Sequence, residues 1–180
     1  MRTAIALLCF SIATCPVAVH AQAQSDWKQL LQTRLPLFGH RNWIVIADSA
    51  YPAQSRDGIE TVIADASQVD VLKEVLADLS ASKHVRPVPY VDRELNFISD
   101  SEAQGIDSYR QQLFALIPQQ NTHFLLHADI INKLDQVSQT FRVLLIKTNM
   151  TLPYTSVFLQ LDCAYWSDEA EQELRTRMKR

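Results

Sequence analysis

His40, Asp48 and Tyr154 are the residues of this chain whose types suit proton transfer to a small, hydroxyl-rich molecule, and the first two bracket one apolar segment. Trp43-Ile44-Val45-Ile46-Ala47 reads as a buried strand. The Gly39-His40 pair enters it on a turn, with Gly39 expected in the left-handed conformation that ends a helix. Asp48 stands where the strand leaves. In α/β sheets ligand-binding groups gather outside the carboxyl ends of strands, so Asp48 marks the expected place of a site. Histidine exchanges protons near neutral pH, and a carboxylate accepts hydrogen bonds from sugar hydroxyls. Tyr51 and Tyr154 each offer an apolar face with a polar tip, and polar side chains on a helix starting at Asp129 complete the set. A plainer reading stands beside this one, with His40 an ordinary surface turn residue and Asp48 a loop cap.

The elements that must position these residues follow from periodicity. Ser25-Asp26 caps a helix carrying Trp27, Leu30, Leu31 and Leu35, which Pro36 ends. Residues 51–58, with Pro52 and Gly58, form a loop, and residues 60–64 a second strand. Ser67 with Asp70 fits a capping arrangement for a helix bearing Val69, Leu72, Val75, Leu76 and Leu79. Residues 85–91 are β-branched and apolar, but Pro87 and Pro89 make them an edge or irregular strand. Helices are expected over 100–116 and 129–140, and strands over 122–126, 142–148 and 157–161. Ser167 caps a charged helix running to about Lys179. Strands that alternate with helices give an α/β domain, largely parallel and flanked by helices.

Composition narrows the class. Residues 1–23 have the pattern of a secretory leader: Arg2, an apolar stretch from Ala4 to Ala18, and small residues at Val19-His20-Ala21 or Ala21-Gln22-Ala23. The chain is therefore expected to be exported, periplasmic or secreted, with one α/β domain over 25–165 and a charged helical tail over 166–180. No later run is long enough to span a membrane. Loss of the leader removes one basic residue and no acidic one, taking the net charge from −3 to about −4. That mild acidity, without a basic stripe, argues against nucleic-acid binding. Cys9 and Cys15 leave with the leader. Cys163 remains, as a buried apolar residue or an intermolecular link. Three glycines form no phosphate-cradling loop, no GxSxG elbow is present, and the histidines lack HExxH spacing, so neither cofactor nor metal is expected.

Gly39-His40, the eight-residue step to Asp48, and Asp48-Ser49-Ala50-Tyr51-Pro52 together resemble the opening motif of the RbsD/FucU family of D-ribose pyranases and L-fucose mutarotases. The resemblance continues through Val62-Ile63-Ala64-Asp65 and the helix after it to Pro153-Tyr154, covering about residues 27–162. It implies a compact α/β fold assembled into rings, with sites at subunit interfaces, and cofactor-free interconversion of sugar ring forms or anomers. His40 resembles the catalytic acid, Asp48 the residue that binds sugar hydroxyls, and Tyr154 the tyrosine of a Tyr-x-Asn motif. Ser156 stands where that motif has asparagine. Counting back from Tyr154 puts Asn132 where the family has histidine or arginine, with Asp129 or His127 as substitutes if the count slips. The expected function is an exported mutarotase or pyranase-like isomerase acting on a free ribose- or fucose-like monosaccharide. A non-catalytic saccharide-binding or scaffold protein is the second reading, motivated by Ser156 and Asn132.

Overall fold

The computed structural model describes residues 27–179, so the expected leader and the Ser25-Asp26 cap lie outside the described residues. Six strands form one sheet in the order β2-β5-β1-β6-β3-β4. They are β1 (Trp43–Ala47), β2 (Ile59–Ile63), β3 (Val85–Asp92), β4 (His123–Leu125), β5 (Val143–Lys147) and β6 (Val157–Cys163). The helices are α1 (Trp27–Arg34), α2 (Gln68–Ala81), α3 (Ile106–Leu116), α4 (His127–Val137) and α5 (Asp168–Met178). β2 with β5, β5 with β1, and β3 with β4 pair in parallel, while β6 runs antiparallel to both β1 and β3. The expected mixed α/β domain with a largely parallel sheet is what the chain forms, with β6 the one reversed strand. Its reversal has a local cause. Residues 148–156 are too few for the crossover a parallel return needs.

β1 is buried at all five positions because both faces of the sheet are covered there. Ile44 and Ile46 meet Leu31 of α1, Leu72 and Val75 of α2, and Leu113 of α3. Trp43, Val45 and Ala47 face the other way, with Phe158, toward Ile130 and Leu134 of α4. Ser67 caps α2 as expected, accepting the Asp70 amide at 3.2 Å, and Ser167 caps α5 by accepting the Ala170 amide at 3.2 Å. No side chain of α5 is buried. Among the described residues no helix is long and apolar enough to cross a membrane.

The expected edge character of residues 85–91 holds at the two prolines, and two other local expectations change. β3 pairs with β6 over Val85–Val91. β4 covers only Tyr90 to Asp92, so at Pro87 and Pro89 β3 is itself the sheet's edge, where a missing N–H costs no ladder bond. α3 begins at Ile106 rather than near Asp100. Gly105, at φ +95°, breaks the helix, and the Asp100 carboxylate accepts its amide at 2.8 Å. In the turn before β1 the left-handed residue is Arg41 (φ +75°), not Gly39. Asn42 closes that turn by accepting the Gly39 amide at 2.8 Å, and the Arg41 amide bonds Leu161 of β6 at 2.8 Å.

Candidate functional site

The reversed strand brings four neighbouring strands to one end of the sheet. The first residue of β6, Val157, pairs with both Ile46 and Val91. Ser156, just before it, therefore lies between the carboxyl ends of β1 and β3. Asp48 follows β1, Asp92 is the last residue of β3, and His127 opens α4 directly after β4.

The Asp48 carboxylate is locked from both sides. Its Oδ2 accepts the Ser156 hydroxyl at 3.0 Å, and its Oδ1 accepts the Ala50 amide at 2.9 Å. Ser156 is buried and returns the contact, accepting the Asp48 amide at 3.3 Å. A buried amide at the start of α2 supports this arrangement from below. Gln68 Nε2 donates to the Tyr109 hydroxyl at 2.9 Å and to the Thr155 carbonyl, while its Oε1 accepts the Thr148 hydroxyl at 3.2 Å. Tyr109 also donates to the Thr155 carbonyl. The loop between β5 and β6 is thus tied to the core at both ends. At its crest Tyr154 takes φ +56°, a left-handed conformation that costs a tyrosine on the order of 1–3 kcal/mol. The residue is 39% exposed.

Beside this loop lies a second carboxylate. Asp92 is 0% exposed, and its Oδ2 meets His127 Nδ1 at 3.0 Å. Asp92 Oδ1 has no partner among the described residues. Burial pushes this carboxyl up to about 6, the His127 imidazole opposes the rise, and the negative charges of Glu94 and Asp48 add to it. The His127 ring meets Tyr154 edge-on, centroids 5.6 Å apart. Its backbone is held separately, since both Glu94 carboxylate oxygens accept the His127 amide at 3.1 Å. Tyr51, 3% exposed, is packed under the site against Phe158 rather than open to a ligand. Burial, then the charge of Asp92, raises its phenol above its ordinary range.

Ser156 bonds Asp48, and Tyr154 stands two residues before Ser156 on the same loop. His40 does not join them within one chain. It is exposed on the turn that precedes β1, near enough to Asp162 at the far end of β6 to act on its charge. The five residues of β1 separate it from Asp48, roughly 16 Å of strand. Asn132 is exposed on α4, and no hydrogen bond ties it to the cluster. The polar residue of α4 that reaches the cluster is His127. Asp92 and Glu94 were not anticipated. The signal that could have found Asp92 was its place at the carboxyl end of a strand, which the two prolines obscured. Cys163 ends β6 as a half-buried free thiol. Among the described residues no group of three or more His, Cys, Asp or Glu side chains is placed to hold a metal ion.

The sheet and the site define a class of protein: a single mixed α/β domain whose parallel strands end in a locked carboxylate, an imidazole–carboxylate pair and a strained, exposed tyrosine. No family model matches the sequence, and no curated protein does either. Solved structures place the class more closely. RbsD from Bacillus subtilis, solved with D-ribose, matches at a TM-score of 0.51 and 18% identity over 74% of this chain and 91% of that one. FucU from Bifidobacterium longum matches at 0.51 and 18% identity, over 74% and 94%. The chain has the RbsD/FucU fold.

Proposed function

We propose that the protein is a sugar mutarotase or pyranase-like isomerase, exported from the cytoplasm, that interconverts ring forms or anomers of a free ribose- or fucose-like monosaccharide. The observation that carries the reading is the Asp48 carboxylate, held by the Ala50 amide and by Ser156 of the loop that carries the exposed Tyr154, in the fold of a protein solved with D-ribose. A carboxylate so fixed is oriented to receive sugar hydroxyls, and an exposed tyrosine ring packs against the apolar face of a pyranose or furanose. The leader pattern of residues 1–23 supports export.

In this reading Asp48, Tyr154 and Ser156 hold the sugar, Ser156 through Asp48, and His40 delivers a proton to the ring oxygen. The length of β1 keeps His40 away from Asp48 of its own chain, so in this reading His40 serves the site of another copy, and a homo-oligomer with sites at subunit interfaces is part of the proposal. Asn132 contributes only from such a neighbour. A positioned acid–base group supplies about 10²- to 10⁴-fold, enough for a reaction that free aldoses already undergo. The second reading is a non-catalytic saccharide-binding protein, favoured by the engagement of the Ser156 hydroxyl with Asp48.

Exchange NMR of anomeric protons tests both. Ribose, fucose, galactose and glucose are screened with the protein and with His40→Ala. Exchange above background that collapses in the variant is the expected result. Sugar contact in saturation-transfer spectra without faster exchange for any of the four selects the binding protein.

A further inference from the structure

We infer that Asp92 is a positioning residue, holding the His127 imidazole so that each protomer carries its own proton acceptor at the sugar site. The inference rests on the isomerase reading for its chemistry and on the structure for its geometry. Asp92 is fully buried while the His127 side chain is 39% exposed, so Nδ1 is the inward nitrogen of the ring. Among the described residues no hydrogen bond ties Nε2, and the ring meets Tyr154 edge-on with centroids 5.6 Å apart. Glu94 fixes the backbone of His127 and Asp92 fixes its ring, so the imidazole is restrained twice. A buried carboxylate that accepts Nδ1–H fixes one tautomer and leaves the Nε2 lone pair free to take a proton. Nothing in the His40 assignment requires this pair, and a buried ionisable group without structural partners on its second oxygen is more costly than a core needs.

On opening, the anomeric O–H proton passes to Nε2 of His127, and the electrons of that bond become the second bond of the carbonyl. The ring C–O bond breaks with its pair staying on the ring oxygen, which takes a proton from His40 of a neighbouring copy. Closure on the other carbonyl face reverses each transfer, so both histidines return to their starting states. Asp92 remains ionised and stabilises the imidazolium. The charged or titratable groups that face Asp92 are His127 of α4, Glu94 in the turn after β3, Asp48 after β1, Tyr51 in the following loop and Tyr109 of α3.

The test is Asp92→Asn in the full chain, an isosteric change that keeps the packing. The first readout is the pair of imidazole ¹⁵N shifts of His127 at pH 7.5, which needs no substrate. The wild type is expected to carry its neutral proton on Nδ1, and the variant to show Nε2–H or a mixture, because the amide can also donate. The second is anomeric exchange of ribose and fucose across pH 5–9. A loss of about 10²- to 10⁴-fold in kcat with KM little changed is expected, together with loss of the wild-type acid limb. Unchanged ¹⁵N shifts, or an unchanged rate and pH profile, overturn the inference. If the wild-type chain accelerates exchange of no sugar, the isomerase reading fails, and the tautomer measurement alone then decides the role of Asp92.

Discussion

Asp92 makes a stability prediction separate from any activity. Its carboxyl titrates at about 6 in the folded chain against an ordinary 3.8. Below pH 3.8 the group is protonated in both folded and unfolded chains and contributes no pH dependence. As pH rises toward 6 the unfolded chain releases its proton first, so the folded state loses stability, and above about 6 the full penalty is present. About two pKa units at 1.36 kcal/mol each give a cost of about 3 kcal/mol. Asp92→Asn cannot ionise and escapes it. Urea unfolding of wild type and variant at pH 4, 5, 6, 7 and 8 reads the effect as a difference in which groups remote from Asp92 cancel, while its partner His127 contributes with it. The variant's advantage over wild type is expected to grow by about 3 kcal/mol between pH 4 and pH 8, or about 6–12 °C in Tm for a domain of this size. A difference that stays flat with pH would falsify the claim that this carboxyl is ionised at a cost in the folded protein. A residue that lowers stability at neutral pH while ordering an imidazole is the pattern expected where function constrains a core.

Gln68→Leu removes the amide that joins Tyr109, Thr148 and Thr155. With those groups left buried and short of partners, it should destabilise by about 3 kcal/mol in urea unfolding. Gly58→Ala places a Cβ 2.0 Å from the Ser138 carbonyl oxygen, a backbone atom that has no rotamer to yield. It should cost about 1–3 kcal/mol or more, visible as a lowered Tm, and a neutral result would mean that the contact relaxes freely. Asp48→Asn keeps one acceptor for the Ala50 amide and turns its NH2 toward Ser156, whose hydroxyl can accept, so stability should fall by no more than about 1 kcal/mol. Ribose affinity by calorimetry should nonetheless fall about tenfold or more as the charged acceptor is lost.

The strands were largely readable because their signals are short-range. The solid run at Trp43–Ala47 and the capped helix behind Ser67 each carry their pattern within a few residues. What escaped was set by neighbours distant in sequence. Pro87 and Pro89 disqualify a central strand by local rules, yet β4 pairs with β3 only from Tyr90 on and leaves them an edge. The same long-range fact hid Asp92, which becomes a site residue only because β4 and α4 deliver His127 beside it. Ser156 reads locally as a substituted asparagine, and its hydroxyl is bound to a carboxylate 108 residues earlier. The separation of His40 from Asp48 follows from simple strand length and could have been counted beforehand.

The order of strands in the sheet also bears on how the chain acquires its shape. β1 has no sequence-local partner: Trp43 pairs with Val143 on one side, and Ile46 with Val157 on the other. During synthesis this apolar strand therefore waits a hundred residues or more for its neighbours. Contacts of such span make folding slow, in the range of milliseconds to seconds, and leave the waiting segment prone to aberrant pairing. Asp48 waits with it, since Ser156 comes 108 residues later. The centre of the sheet and the carboxylate at its edge are thus completed together, late, and a chain stopped before β6 has neither.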